Sequence, residues 1–402
     1  MAMSVRKGGS VNVPGVDVTR SVTAARGFLA SGVAAGVKKP GKKDVALVVN
    51  QGPQYAAAAV FTSNRFPAAP VEWSRQAIAD NVLKAVVLNS GGANACTGQP
   101  GLDDSRQMAQ QVADHLSCQA LDVAVCSTGL IGVRLPMEVV CAGIDSAAQT
   151  LTPDGDRDAA EAIMTTDTVS KQATYVSSHG WSVGGMAKGA GMLAPALATM
   201  LVVITTDAVL TSEEADAMLR ASTRVTFDRA DADGCMSTND TVILMASAAS
   251  GVRPGEEFQA GLDAVCESLA RQLIADAEGA EHSIAVTVRS AASQDDALEV
   301  ARSIARSNLF KCAIAGNDPN WGRVLAAVGT TQAQFDPRQV DVSFNGVPVF
   351  IQGELGAPRE QVDLRRFDVV VDVDLHAGTD EATIWTNDLT HGYVSENADY
   401  SS

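Results

Sequence analysis

Residues 188–204 have the sequence K-G-A-G-M-L-A-P-A-L-A-T-M-L-V-V-I, in which a glycine-rich loop and a linker of small residues lead into an apolar run. The run that begins at Thr199 is continuous and of strand length, which predicts a central β-strand covered on both faces. One interpretation of the junction is a tight turn into a core strand. Another is that the chain cleaves itself before Thr199, whose hydroxyl would be a nucleophile and whose new α-amine, with a pKa near ~8, could serve as base. The residues alone favour the turn.

Strand-like and helical segments alternate on both sides of this run, and this alternation predicts an α/β fold. Three apolar runs predict further buried strands: 44–49, 85–88 and 121–126. The last of them is expected to turn at Ser127-Thr128-Gly129. Apolar residues at helical spacing predict a long amphipathic helix over 256–275. Thr211, with Glu214 three residues later, and Ser293 are predicted helix N-caps.

The last third of the chain has the pattern of a separate, smaller α/β domain. Asn345-Gly346 stands between alternating residues, which predicts a β-hairpin, and Pro348 places the second strand at an edge or a bulge. Residues 367–375 alternate Val and Asp, as a half-exposed strand does. The long helix ends near 278–284, so we expect a C-terminal domain over about 280–402.

The composition excludes several classes of function. The 402 residues carry a net charge of −17, which argues against nucleic acid and against an anionic membrane surface as partners. No apolar run approaches the ~18 residues of a membrane span, and no signal peptide is visible, so we expect a cytoplasmic protein. The 7 Cys include no C-x-x-C pair, which indicates free thiols in a reducing compartment, and the 5 dispersed His predict no metal site.

Three local motifs offer other functions. The run 180–184, G-W-S-V-G, matches the nucleophile elbow of serine hydrolases with Ser182 as nucleophile, but the glycines that follow favour a glycine loop over a helix. The run 189–194 matches a permissive dinucleotide fingerprint, yet we predict no strand immediately before it. An acidic turn at 231–234 resembles a calcium loop, but Arg229 stands at its first ligand position.

The whole chain resembles the ornithine acetyltransferase family (glutamate N-acetyltransferase, of the arginine pathway) in an ordered series of segments. Besides 188–201, these are 27–38, 64–71, 89–98, 127–132, 164–168, 237–241, 278–280, 317–323 and 396–402. The sequence departs from the family pattern at Gly92, Ala277 and Cys235, none of which is expected to act in catalysis.

The resemblance implies an α+β layered sandwich of the self-processing aminopeptidase-like type. It also implies cleavage between Ala198 and Thr199 into an alpha chain (1–198) and a beta chain (199–402). Thr199 would then take acetyl from N-acetylornithine and pass it to glutamate in a ping-pong reaction. Thr128 and Gly129 match the family's oxyanion hole.

The positions implied for substrate binding are Thr165, Lys188, Thr199, Glu278, Asn397 and Ser402. We expect Lys188 to hold the substrate α-carboxylate and Glu278 to hold the δ-ammonium of ornithine. The resemblance further implies an α2β2 heterotetramer of the cleaved fragments, with no metal and no cofactor. Acetyl-CoA as a second donor stays open. An N-terminal-Thr amidohydrolase or aminopeptidase on the same scaffold, with water as acceptor, is the main alternative, and a serine hydrolase using Ser182 is another.

Overall fold

The computed structural model describes residues 11–194 and 200–399, which form two compact units. The main unit contains residues 12–194, 200–228 and 235–273. The C-terminal unit contains residues 229–234 and 274–399. The division expected at 198/199 lies outside the described residues and stays a prediction.

The main unit contains ten strands and six helices among the described residues. The strands are β1 (Val16–Asp17), β2 (Phe28–Val33), β3 (Val45–Asn50), β4 (Ala56–Phe61), β5 (Ala85–Gly92), β6 (Val123–Leu130), β7 (Lys171–Val176), β8 (Ser182–Lys188), β9 (Leu201–Thr206) and β10 (Thr241–Ala246). The helices are α1 (Ala69–Ala77), α2 (Gly98–Leu116), α3 (Met137–Gln149), α4 (Asp156–Ala162), α5 (Ser212–Val225) and α6 (Glu257–Ala275), whose last two residues belong to the C-terminal unit.

These elements form the layers of a sandwich. One sheet has the strand order β1-β7-β8-β9-β10-β4 and the other the order β2-β3-β5-β6. Small and branched side chains from both sheets, such as Val48, Leu88, Val203 and Ile243, share one fully buried cluster. The outer face of the four-stranded sheet packs against α1, α2 and α3, and α6 packs on the outer face of the other sheet at Gly185. The predicted α/β layered sandwich is therefore confirmed.

The C-terminal unit is a six-stranded sheet with helices packed on it. Its elements are β11 (Ser283–Ala291), α7 (Gln294–Ala305), α8 (Asn308–Ala315), α9 (Trp321–Val328), β12 (Asp341–Phe344), β13 (Val347–Ile351), β14 (Glu354–Leu355), β15 (Asp368–Asp374), β16 (Asp380–Asn387) and α10 (His391–Asp399). The strand order is β14-β13-β12-β15-β11-β16. Alternate residues of β15 join the core formed with α7, α8 and α9, because successive side chains of a strand point to opposite faces.

Most of the predicted elements are present. The strand after Thr199, the helix over 256–275, the N-caps at Thr211 and Ser293 and the hairpin at Asn345-Gly346 are confirmed. A register shift lies next to the residue that pairs with Pro348, in agreement with the predicted bulge.

Two predictions in the main unit were wrong. The turn expected at Ser127-Thr128-Gly129 is part of β6, which continues to Leu130 beside β5. The glycine loop expected around 180–191 contains β8, so the run 189–194 does follow a strand directly. Glycine occurs inside β8 because the neighbouring chain approaches it too closely for a side chain.

Candidate active site

Two buried polar groups meet near the ends of β6 and β8. Lys188 is the last residue of β8 and is 1% exposed, and its Nζ donates to Oγ1 of Thr128 at 3.0 Å. Thr128 lies in β6 and is 3% exposed. A hydroxyl that accepts from an ammonium keeps its own hydrogen for a second acceptor. Thr128 is therefore a hydrogen-bond donor whose orientation is set by a buried charge.

Gly129 follows in the same strand with a backbone φ of +133°, which favours glycine. It pairs with Gly91 of β5, and a Cβ on Gly129 would lie 2.5 Å from the carbonyl carbon of Gly91. No side chain fits at this contact. The two glycines therefore allow β5 and β6 to approach closely beside Thr128.

Asp167 connects Thr165 with the chain around Lys188. Its Oδ1 accepts from Nζ of Lys171 at 2.6 Å and from the N–H of Gly189 at 2.7 Å, and its Oδ2 accepts from the N–H of Thr165 at 2.9 Å. The side chains of Asp167 and Lys171 are fully buried. Burial alone would raise the pKa of Asp167, but the ammonium groups of Lys171 and Lys188 outweigh it and hold that pKa well below its usual range.

A third lysine belongs to this group. Lys38 is half-buried, and its Nζ donates to the carbonyl oxygen of Met164 at 2.9 Å, one residue before Thr165. Burial lowers the pKa of Lys38 to about 8. Lysine amines are thus concentrated around one carboxylate in a chain that is acidic overall.

After residues 195–199, the chain is anchored at Met200 by Asp240, the residue directly before β10. Met200 is buried, and its N–H donates to Oδ1 of Asp240 at 2.9 Å. Burial raises the pKa of Asp240 well above its ordinary value. The adjacent Asn239 donates through Nδ2 to the carbonyl oxygens of Ala93, at 2.7 Å, and Ser127, at 2.8 Å. Asn239 therefore fixes the carbonyl that immediately precedes Thr128.

The sequence-predicted site residues fall into three groups. Thr128, Gly129, Thr165 and Lys188 lie together in the main unit, linked through β6 and Asp167. Glu278 and Asn397 lie together in the C-terminal unit, where Nδ2 of Asn397 donates to Oε2 of Glu278 at 2.9 Å. Three residues lie outside the described ranges: Ala198, Thr199 and Ser402.

The nucleophile-elbow interpretation of Ser182 is not supported by the local structure. Ser182 is the first residue of β8, and the six residues after it continue that strand, whereas an elbow turns from a strand into a helix. Its Oγ donates to the carbonyl oxygen of Ala24 at 3.4 Å, and its N–H donates to Asp207 at 2.7 Å. These contacts give Ser182 a structural role, because they join the start of β8 to the segments before β2 and after β9.

Five polar residues of this centre were not predicted from the sequence: Lys38, Asp167, Lys171, Asn239 and Asp240. Four of them stand in segments that carry the family resemblance, at 27–38, 164–168 and 237–241. Their position in those segments was the available signal. Lys171 lies outside them and is recognised only through its ion pair with Asp167.

Among residues 11–194 and 200–399, no group of three or more His, Cys, Asp or Glu side chains could hold a metal ion. Within the same ranges, no helix is long and apolar enough to cross a bilayer. The cysteines are all free thiols.

The fold and this centre together define a layered α/β protein that buries ammonium and hydroxyl groups near the ends of β6 and β8. The ArgJ family model matches residues 29–402. The arginine biosynthesis bifunctional protein ArgJ of Thermobifida fusca is 60% identical over 95% of this chain and 100% of its own length. The chain therefore belongs to the ArgJ family.

One further relative and one solved structure are also similar to this chain. The protein of the same name from Mycobacterium leprae is 54% identical over 95% of this chain and 96% of its own length. A chain in the crystal structure of ornithine acetyltransferase complexed with ornithine from Mycobacterium tuberculosis is 50% identical to this one, with a TM-score of 0.45. The match covers 46% of this chain and 98% of the crystallised chain.

Proposed function

We propose that this ArgJ-family enzyme of arginine biosynthesis transfers acetyl from N2-acetyl-L-ornithine to L-glutamate through an acetyl-Thr199 intermediate. The relatives carry the name of a bifunctional arginine-biosynthesis protein, and one related structure holds ornithine. The observation that carries the proposal for this chain is the buried hydrogen bond from Lys188 to Thr128. This bond orients the Thr128 hydroxyl beside Gly129 in β6. It also places that hydroxyl next to Lys188, the last residue of β8, after which the chain continues towards Thr199.

The first proposed event is self-cleavage between Ala198 and Thr199. The Thr199 hydroxyl attacks the Ala198 carbonyl carbon, and the peptide C–N bond breaks as an ester forms. Water then hydrolyses the ester, which leaves a carboxylate on Ala198 and a free amine on Thr199. Met200 supports this chemistry because its N–H and carbonyl are held by Asp240 and Thr241, so the chain after the scissile bond has a fixed anchor.

Transfer then proceeds in two half-reactions. The Thr199 hydroxyl, with the α-amine as base, attacks the acetyl carbonyl of N-acetylornithine, and the C–N bond breaks as ornithine takes the proton. The amine of glutamate next attacks the acetyl ester, and Thr199 recovers its proton. In each tetrahedral intermediate the oxyanion accepts from the Thr128 hydroxyl and the Gly129 N–H.

The remaining proposed roles follow from charge. Lys188 binds the substrate α-carboxylate, and Glu278 binds the δ-ammonium of ornithine. Thr165, Asn397 and Ser402 complete substrate binding. The reaction uses no metal and no cofactor, although the word bifunctional in the relatives' names supports acetyl-CoA as a second donor. The cleaved fragments would act as a cytoplasmic α2β2 heterotetramer.

A denaturing gel with N-terminal sequencing tests this proposal. We expect two bands near half of 41.6 kDa, one of which begins Thr-Met-Leu-Val. Thr199→Ala should give an uncleaved, inactive chain, whereas Ser182→Ala should be cleaved and active. A single intact band in active enzyme would contradict the mechanism. Acetylglutamate formation from acetylornithine, compared with plain deacetylation, distinguishes the transferase from a hydrolase that uses water.

A further inference from the structure

Lys38 has a fixed backbone although it lies in the loop between β2 and β3. The carboxylate of Asp44, which is fully buried, accepts from the N–H groups of Ala35, Gly36 and Lys38 at 2.7, 3.0 and 2.9 Å. A carboxylate that accepts several backbone N–H groups holds a loop in one conformation. The Lys38 side chain therefore starts from a set position.

The Lys38 side chain extends across the end of β5 towards Thr165. Its Cγ lies 3.2 Å from the position that a Cβ on Gly91 would occupy, and Gly91 is the residue paired with Gly129. Its ammonium then reaches the Met164 carbonyl oxygen. Lys38 thus contacts both the glycine behind the proposed oxyanion hole and the residue before a proposed substrate-binding threonine.

The lysines of this centre differ in their hydrogen-bond partners. The oxygens of Asp167 are occupied by Lys171 and two backbone N–H groups, and the Lys188 ammonium donates to a neutral hydroxyl. Lys38 is half-buried and donates one of its three hydrogens to a neutral carbonyl, which leaves two hydrogens for another acceptor. Lys38 can therefore bind a carboxylate in addition to the one assigned to Lys188.

The two proposed amino-acid substrates differ in their side-chain charge. Ornithine ends in an ammonium, whereas glutamate ends in a carboxylate. If Lys188 binds the α-carboxylate that both share, the second carboxylate of the acceptor needs another cation. Among the described residues, Lys38 is the lysine of this centre bonded only to an uncharged carbonyl.

We propose that Lys38 determines acceptor specificity by binding the side-chain carboxylate of the dicarboxylic acceptor in the second half-reaction. The inference rests on the proposed function and deepens it, because it assigns the acceptor's second charge to a residue outside the implied set. Lys38 is not a catalytic residue. It discriminates a carboxylate side chain from neutral and cationic ones.

The inference predicts a pH dependence confined to the acceptor. Burial, Lys42 and Lys188 lower the pKa of Lys38 to about 8, against the opposing effect of Asp44 and Asp167. Above pH 8 the amine loses its proton and its attraction for a carboxylate. The KM for glutamate should therefore rise from pH 7.5 to 9.5, whereas the KM for N-acetylornithine should not follow it.

The decisive variant is Lys38→Met, which keeps an unbranched stem over Gly91 and removes the charge. We expect the KM for glutamate to rise about 10- to 100-fold, the loss typical of one hydrogen bond to a charged group. The KM for N-acetylornithine and the release of ornithine in a single turnover should stay within about twofold. Preference for glutamate over its neutral isostere glutamine should fall by a similar factor. Lys38→Arg, which cannot lose its proton, should keep that preference and abolish the pH dependence.

Lys39→Met is the matched control, because Lys39 is the neighbouring lysine and is exposed. It should leave every constant unchanged. Equal effects of Lys38→Met on both substrates, or an unchanged preference for glutamate over glutamine, would overturn the role of Lys38 while leaving the transferase intact. If wild-type protein forms no acetylglutamate from acetylornithine, the proposed function fails, and this inference fails with it.

Discussion

The hydroxyl of Thr128 has two hydrogen bonds to make, because it accepts from Lys188 and keeps its own hydrogen for another acceptor. The carbonyl before it is fixed by Asn239, and the glycine after it occupies a backbone conformation that excludes side chains. A donor held on both sides needs little reorganisation when charge develops on a substrate oxygen. This is the property that an oxyanion hole requires.

Removal of this hydroxyl should slow acetyl transfer. Thr128→Val keeps the shape of the side chain but offers no donor, and the loss of one oxyanion-hole donor typically reduces kcat ~10²–10³-fold. Thr128→Ser restores the hydroxyl and should recover most of the activity. Steady-state kinetics on both variants, with thermal unfolding to verify the fold, measure the effect. If Thr128→Val retains more than a tenth of the wild-type kcat, Thr128 is not the donor.

The helices and strands that were predicted correctly have sequence patterns that lie within their own residues. The stripe of α6 and the capping box at Thr211 are local patterns, and β9 is apolar from Leu201 to Ile204 because both its faces are covered. Strand β8 lacks such a signal. Its two adjacent glycines predict a loop, and the requirement for them comes from residues distant in sequence, at Ser21 and Leu269.

This interpretation of β8 predicts a sharp effect for a single methyl group. A Cβ on Gly184 would lie 2.0 Å from the carbonyl oxygen of Ser21, so the backbone itself would have to shift. Gly184→Ala should cost ~1–3 kcal/mol or more of the free energy of unfolding, as overpacking does. Thermal or denaturant unfolding of the purified variant measures this loss.

Gly322→Ala provides the comparison, because Gly322 lies in helix α9 and the nearest atom to its added Cβ is 3.4 Å away. Alanine favours a helix over glycine by ~1 kcal/mol, so this variant should be as stable as the wild type or more so. Equal destabilisation by both substitutions would mean that the contact at Ser21 does not explain the glycine in β8.

For the whole molecule, the candidate site combines residues from separate parts of the chain, and this limits what a sequence can predict. Thr128, Gly129, Thr165 and Lys188 were identified because each lies in a segment that resembles one family. The Asp167–Lys171 ion pair was not identified, because two opposite charges four residues apart usually form a solvated surface pair. Only the packing of the folded chain buries this pair. Net charge likewise gave no indication that a cationic centre lies inside an acidic chain.

The stability of the molecule should depend on pH through His282 in the C-terminal unit. His282 is 5% exposed, and its Nδ1 lies 2.7 Å from Oδ2 of Asp388 and its Nε2 2.9 Å from the carbonyl oxygen of Leu364. A neutral imidazole has one N–H and cannot donate to both acceptors, so the charged form fits this pocket. The hydrogen bond to Asp388 raises the pKa of His282 above its ordinary 6.5, against the effect of burial.

A histidine whose pKa is raised by folding stabilises the protein fully below its unfolded pKa of 6.5, and this contribution is lost as the pH rises through the folded pKa. The difference in melting temperature between wild type and His282→Gln should therefore be largest near pH 6 and shrink towards pH 9. His391→Gln, at an exposed position at the start of α10, should follow the wild type throughout. Melting temperatures at one scan rate across this range measure both. A constant difference between wild type and His282→Gln would show that His282 contributes by packing alone, because only a titrating imidazolium loses its contribution over that interval.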